Sequence, residues 1–318
     1  MSRVGIQIGA TTPAAQLGSV AATAEGLGYA EAWLAEDYFE HGGVASVAAA
    51  LAATDRIRIG LGVVAASVRH PALTAMEFAT LAGVYPGRLM AGIGHGAPGW
   101  MDQMCLRPAS PMGLLREAST TVQRLLAGEE ISRHGEYFRF DRVKLLHPPT
   151  ESVPLYFGVH GPASLRLSGE VADGTLLGWL STPGYVAWAR ERINEGRTRS
   201  GRQDPHTLSV LCLLSIAEDG AAAARRHIGK WLGPMLASMV NSPQLTTSDA
   251  GREIVALVEE EGPNALADGP PNELLSEFVA AGNLETCAES VDRLLSAGAD
   301  KVILVPVSYT HLRAHETR

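Results

Sequence analysis

The sequence predicts an α/β fold: one closed eight-stranded parallel barrel ringed by helices. Three observations predict it. Short β-rich runs alternate with helical stretches along the whole chain. The runs are mainly apolar, as parallel strands covered on both faces are. The chain's 318 residues, 46% hydrophobic and only 19% charged, suffice for such a barrel, which closes as a single unit at about 250 residues. The alternative arrangement of the same units is an open doubly wound sheet.

Val4 to Gly9 opens the series as a strand, and Pro13 to Gly26 carries apolar residues at helical spacing. Gly28 is a C-cap signal, and Tyr29 to Ala35 forms the second strand. A helix over Val44 to Thr54 leads to the strand Arg56 to Val64. A helix over Pro71 to Val84 leads to the strand Arg88 to Gly94, and a long helix spans Leu114 to Ala127. Gly128 to Pro149, containing Gly135 to Phe140, reads as a short hairpin inserted after the fourth strand. Leu155 to Val159, Gly174 to Leu177, Leu208 to Ile216 and Lys301 to Val305 complete the set of strands. A second insertion, Ala217 to Asn283, follows the seventh strand; it is mainly helical and punctuated by Pro263 and Pro270-Pro271.

The charge balance excludes several classes of function. With 34 acidic against 26 basic residues, the net charge of −8 leaves no footprint for nucleic acid or an anionic membrane. Cys105, Cys212 and Cys287 lack CxxC spacing, which argues against a disulfide framework and a cysteine metal site. Met1-Ser2-Arg3 runs directly into the first strand, and nowhere do about 18 apolar residues follow one another. A cytoplasmic location is therefore expected. No metal-binding HExxH, GxSxG elbow or GxxxxGK[ST] loop occurs.

In such a barrel the loops at the C-terminal ends of the strands build the active site. Gly92-Ile93-Gly94-His95-Gly96-Ala97 and Gly60-Leu61-Gly62-Val63-Val64-Ala65 both fit the loose dinucleotide fingerprint G-x-G-x-x-[GA]. Two hits in one chain weigh against either, and Pro98-Gly99 makes an awkward helix start. These glycines are better read as places where backbone N–H groups approach a ring or a phosphate, or as simple tight turns. Val159 to Ala163, with Pro162 near a first helical position, sets amides where a phosphate binds; the plainer reading is an ordinary turn into a helix. Glu36 and Asp37 end the second strand and point to opposite sides. Partial burial raises a carboxylate pKa into a useful range, whereas a plain helix cap would need neither residue for chemistry. His95 and His160 reach the same face from two separate strands, which lifts them above the prior for a lone histidine. Trp100, Met101, Met104 and Trp179, with the second insertion, supply apolar walls for a small organic substrate.

In order and spacing, one set of residues resembles the bacterial luciferase-like superfamily of flavin and deazaflavin enzymes. The set is Trp33 to Phe39, Arg56-Ile57-Arg58-Ile59-Gly60, Arg69-His70-Pro71, Pro86-Gly87-Arg88, Gly92 to Gly96, Pro154-Leu155-Tyr156, Gly161-Pro162, Val171-Ala172-Asp173-Gly174 and Ala297-Gly298-Ala299-Asp300. Within that superfamily it is similar to the coenzyme F420-dependent branch related to methylenetetrahydromethanopterin reductase. The resemblance runs to about Val305. It implies a luciferase-like (β/α)8 TIM barrel, usually a homodimer, with the cofactor at the strand C-termini. It also implies a non-prolyl cis peptide behind the deazaflavin ring, which maps to Gly62-Val63. The implied cofactor contacts are Glu36, Asp37, Gly62, Val63, Ala65, Gly94, His95, Gly96, Val159, His160, Gly161, Pro162 and Ala163. The implied acid–base residues are Asp37, His95 and Glu36, with no metal. Two departures stand out: Asp37 replaces the histidine of the family's acid–histidine pair, and Ala97 stands where sugar-phosphate-oxidising relatives carry a carboxylate.

The activity this resemblance implies is hydride transfer between coenzyme F420, a deazaflavin, and a small organic substrate, the protein supplying orientation and exclusion of water. FMN in the same site would make the protein a monooxygenase. A non-catalytic cofactor-binding barrel is a further alternative.

The C-terminal stretch Val307 to Arg318 is polar and aperiodic. Back-translated, Val307 to Thr317 resembles read-through of a transposase-type sequencing adapter. The expectation is one barrel domain over 1–306, cut short before its closing helix, with a non-native tail over 307–318.

Overall fold

The computed structural model describes residues 3–216 and 221–307. In chain order the elements are β1 (Val4–Ile8), α1 (Leu17–Gly26), β2 (Glu31–Leu34), α2 (Gly43–Ala52), β3 (Arg58–Leu61), β4 (Val64–Ala65), α3 (Pro71–Val84), β5 (Leu89–Gly94), α4 (Pro98–Gln103) and α5 (Pro111–Leu126). There follow β6 (Ile131–His134), β7 (Arg139–Val143), β8 (Leu155–Gly158), α6 (Pro162–Val171), β9 (Gly174–Leu177), α7 (Pro183–Ser200) and β10 (Thr207–Ile216). The last are α8 (Ala221–Ser238), α9 (Pro243–Thr246), α10 (Asp249–Glu261), α11 (Asn272–Phe278), β11 (Val279–Gly282), α12 (Leu284–Ser296) and β12 (Lys301–Pro306).

The strands β1, β2, β3, β5, β8, β9, β10 and β12 pair in parallel in that order. The ring closes where β12 returns to β1, from Val4↔Val302 to Ile6↔Leu304. Closure rules out the open sheet and with it the Rossmann reading of the glycine motifs. Both strand faces are buried because the barrel has two cores. Outside, Leu51, Phe78, Val122, Leu165 and Ile193 of the helices pack onto strand residues such as Ile8 and Ile59. Inside, Trp33, Met90, Tyr156, Leu176, Leu211 and Ile303 form a second core that continues into Ile228, Leu232, Leu245, Ile254 and Phe278 of the second insertion. The insertion therefore covers the C-terminal end of the barrel and shares its interior.

At the opposite end, the carboxylate of Glu31, only 1% exposed, accepts hydrogen bonds from Arg58 Nη2 (3.0 Å), Lys301 Nζ (3.1 Å) and Trp33 Nε1 (3.3 Å). A buried carboxylate persists only when it is paired in this way.

Four boundaries differ from the sequence expectation. The third strand is interrupted at Gly62–Val63 and resumes as the two-residue β4. A strand, β11, lies inside the insertion expected to be mainly helical. It is too short for periodicity to reveal and exists because it pairs with the end of β10, from Leu213↔Val279 to Ile216↔Gly282. A helix, α4, does start at Pro98, because proline is well suited to a first helical position, where its missing N–H costs nothing. The long helix begins at Pro111 and not Leu114, capped by Ser110 Oγ, which accepts from Gly113 N–H at 3.2 Å.

The first insertion is the antiparallel hairpin β6–β7. A groove of about 550 Å³ runs along the flank between β1, α1 and Pro306, with Ile6, Ile8, Val20, Ala24 and Leu27 in its walls. Of the expected tail over 307–318, all but Val307 lies outside the described residues, His311 and His315 included.

Candidate active site

The site begins with a change of direction after β3. The β2–β3 ladder ends where Gly62 N–H donates to the Leu34 carbonyl at 2.8 Å. The Gly62–Val63 peptide that follows is cis, at the bond to which the resemblance maps it. The chain then rejoins the neighbouring strand, with Val64 opposite Ile93 and Ala65 opposite Gly94. Glycines make this approach possible: a Cβ on Gly92 would overlap the Leu61 carbonyl, and one on Gly94 or Gly158 would come within 3 Å of Val63 or other backbone. Gly96, at φ +76°, leaves room for Ala65 and Met101. In the sequence these glycines read as places of close backbone approach in preference to a dinucleotide fingerprint, and the approach they make here is to the bulge.

Glu36 and Tyr38 hold the other side of the bulge. The Glu36 carboxylate, 5% exposed, receives Arg69 through both Nη1 (2.6 Å) and Nη2 (2.8 Å), the Gly43 N–H (2.9 Å) and the Tyr38 hydroxyl (3.1 Å). The Tyr38 oxygen in turn accepts the Ala65 N–H at 3.3 Å. Burial first, and then the negative charge of Glu36, push the Tyr38 phenol up to about 12, so it stays protonated. The Tyr38 ring meets Trp100 edge-on, with centroids 5.7 Å apart. Asp37, between them, is half-buried, and its carbonyl accepts the Glu40 N–H at 3.1 Å.

On the adjoining strands, Gly94 pairs with Gly158, so the loops carrying His95 and His160 emerge side by side. Burial lowers the pKa of both rings, and the nearby His160 lowers His95 further, against a raising hydrogen bond at the Pro111 carbonyl. His95 Nδ1 is buried and has no hydrogen-bond partner among the described residues. A neutral imidazole can present that nitrogen as a hydrogen-bond acceptor.

Val159 is buried, and Gly161 is the N-cap of α6 without a side-chain cap bond. Pro162 carries no N–H, and the first-turn amides of Ala163 and Ser164 are not taken by a side-chain cap, leaving the positive end of the helix for an anion. Behind this loop Tyr185 Oη donates to the His160 carbonyl at 2.7 Å. One strand further round, Trp179 packs with Val63 against the interior core and its carbonyl accepts from Gln244 Nε2 at 3.4 Å.

The fold thus gathers Glu36, Gly62, Val63, Ala65, Gly94, His95, Gly96 and the 159–163 loop at one end of the barrel, with Trp100 and Trp179 at the edges. In the sequence, Arg69 and Tyr38 stand out only as members of the resembling segments Arg69-His70-Pro71 and Trp33 to Phe39. Gln7 was not noticed at all. It lies two residues after Gly5, whose missing Cβ faces Glu31 and Ile303 inside the barrel, so it shares that inner face. Its Oε1 is buried and has no hydrogen-bond partner among the described residues. The legible signal was a lone amide within an otherwise apolar strand.

A family model described as luciferase-like monooxygenase matches residues 1–301. The 5,10-methylenetetrahydromethanopterin reductase of Methanolobus tindarius is 25% identical over 308 residues, spanning 94% of this chain and 92% of that protein. Two solved structures share the fold. One is the coenzyme F420-dependent tetrahydromethanopterin reductase from Methanopyrus kandleri, with a TM-score of 0.80 at 22% identity over 99% of this chain and 96% of that one. The other is an F420-dependent secondary alcohol dehydrogenase in complex with an F420–acetone adduct, with a TM-score of 0.78 at 21% identity over 96% and 93%.

Proposed function

Because the chain belongs to the luciferase-like monooxygenase family, we propose that it is an oxidoreductase that transfers a hydride between coenzyme F420 and a small organic substrate. The observation that carries this reading is the unpartnered His95 Nδ1 beside the glycine-seated bulge: a neutral base next to a backbone wall on which a flat ring can lie. The F420 dependence of other relatives of this chain supports the choice of F420. The residues present fit such a group, since the bulge and the two tryptophans offer apolar walls and the uncapped start of α6 offers amides to a phosphate. When bound, the deazaflavin supplies a hydride-accepting or hydride-donating carbon and reacts little with oxygen.

The chain's own residues supply the rest. His95 Nδ1 takes the substrate's proton when the hydride leaves the adjoining carbon, and returns it in the reverse direction. Its lowered pKa keeps the ring neutral near pH 7, ready as a base. Asp37 stands at the rim as a second proton-handling group. Glu36, with both oxygens engaged, acts by holding Arg69 and the bulge in place. Trp100 and Trp179 keep water from the reacting atoms.

Parallel titration of the purified protein with F420 and with FMN tests the reading. F420 binding with FMN excluded is expected; tight FMN binding without F420 binding overturns it in favour of a flavin-dependent monooxygenase. His95→Ala is expected to lower kcat by about 100-fold while the F420 Kd stays within about twofold of wild type.

The same reading includes a cytoplasmic homodimer. Leu73, Met76 and Val84 are 51%, 50% and 62% exposed and lie on one face of α3 at helical spacing. That stripe supports pairing with a second copy. No helix among the described residues is long and apolar enough to cross a membrane.

A further inference from the structure

Hydride transfer needs no chemistry from Tyr38, yet its hydroxyl completes a ladder that the bulge breaks. Up to Gly62 the backbone of β3 bonds directly to β2. Beyond the bulge, alternate N–H groups face alternate sides, as in any parallel strand. Ala66 N–H turns toward β5 and donates to the Gly94 carbonyl at 2.9 Å, while Ala65 N–H turns toward β2, whose strand has already ended. The Tyr38 oxygen occupies the place of the missing carbonyl, 3.3 Å from Ala65 N. It is held there because its own proton is committed to Glu36 Oε1 at 3.1 Å, and Glu36 is clamped by Arg69 and Gly43. The Tyr38 ring also fixes Trp100 edge-on.

We propose that Tyr38 is a positioning residue: through Ala65 N–H and the Trp100 ring it sets the distance between the bulge and the wall opposite, and so the width of the slot that receives the cofactor. This rests on the reading that the slot takes F420. Tyr38→Phe keeps the ring and removes only the hydroxyl, so the variant folds and the contact with Trp100 survives. Fluorescence titration with F420 is expected to show a Kd raised about 3- to 10-fold, with kcat at saturation changed less than KM and the Tm nearly unchanged. By amide hydrogen exchange, Ala65 N–H loses protection while Ala66 N–H, bonded to Gly94, keeps it; a general loss of stability would expose both. An F420 Kd equal to wild type, or unchanged exchange at Ala65, overturns the proposal. If the wild-type protein binds no F420, the functional reading fails, and the exchange of Ala65 in Tyr38→Phe still decides whether the hydroxyl holds the bulge.

Discussion

Buried polar side chains in this protein are exacting because each has its partners counted out. Glu36 sits at 5% exposure with Arg69 donating to both its oxygens. Removing one member of such a pair costs more than the pair itself contributes, because the survivor is left charged and desolvated. Arg69→Met is therefore expected to lower unfolding stability by about 3–5 kcal/mol, measured by urea denaturation, and to weaken cofactor binding with it. His206 illustrates a different balance. Its Nδ1 meets the Ala172 carbonyl at 3.1 Å and its Nε2 meets Thr175 Oγ1 at 2.9 Å, which in turn bonds Ser168. Burial, opposed by the Ala172 bond and reinforced by nearby arginines, pushes its pKa down to about 3. Below about pH 6.5 the unfolded chain takes up a proton that the folded one refuses, so stability present above that pH is lost as pH falls toward 3. The loss from this group alone reaches about 2 kcal/mol by pH 5. His206→Asn is expected to flatten the pH dependence of the urea midpoint between pH 6.5 and 4.5; an unchanged slope would show that the ring titrates freely in the fold.

Elements are secured by carboxylates that reach across the chain to bare amides. Glu117 on α5, buried, accepts the N–H groups of Glu136, Tyr137 and Phe138 at 3.1, 3.2 and 3.1 Å, and Gly135 is needed because a Cβ there would overlap that carboxylate. Phe138 and Phe140 then pack on His70 at the start of α3. Glu117→Ala leaves three turn amides without an acceptor. It is expected to cost about 2–3 kcal/mol and to speed hydrogen exchange at residues 136–138 ahead of the rest of α5. The helices and barrel strands were legible in the sequence because each carries its own periodicity or apolar run; α3 coincides with its expected span from Pro71 to Val84. The anchor of the hairpin was not legible: Glu117 lies on a helix face where a charge is ordinarily solvated, and only packing reveals that it is buried. β11 was hidden for a related reason, since Val279-Ala280-Ala281-Gly282 becomes a strand only by meeting the end of β10.

The molecule as a whole is a closed barrel with one core outside the strands and another that passes from the barrel interior into the helical insertion. Closure leaves no strand edge on the ring, so the proposed homodimer is expected to form through an exposed apolar helix face. Replacing Leu73 and Met76 together by Glu is expected to convert the dimer to monomer by light scattering at micromolar concentration. A monomeric wild type, or an unaffected dimer, would place any interface elsewhere. Local order was determined by the sequence itself: which runs become strands and helices, that the strands are covered on both faces, and which loops carry His95, His160, Glu36 and the glycines. Those properties follow from composition and period within a dozen residues. Partnership was decided only by the tertiary structure. Residues far apart in the chain meet there, so that Glu36 is filled by Arg69, Tyr38 replaces a backbone carbonyl for Ala65, and His95 keeps one ring nitrogen unspent. Hydrogen bonds depend on distance and direction to within fractions of an ångström, and no spacing along the chain encodes those.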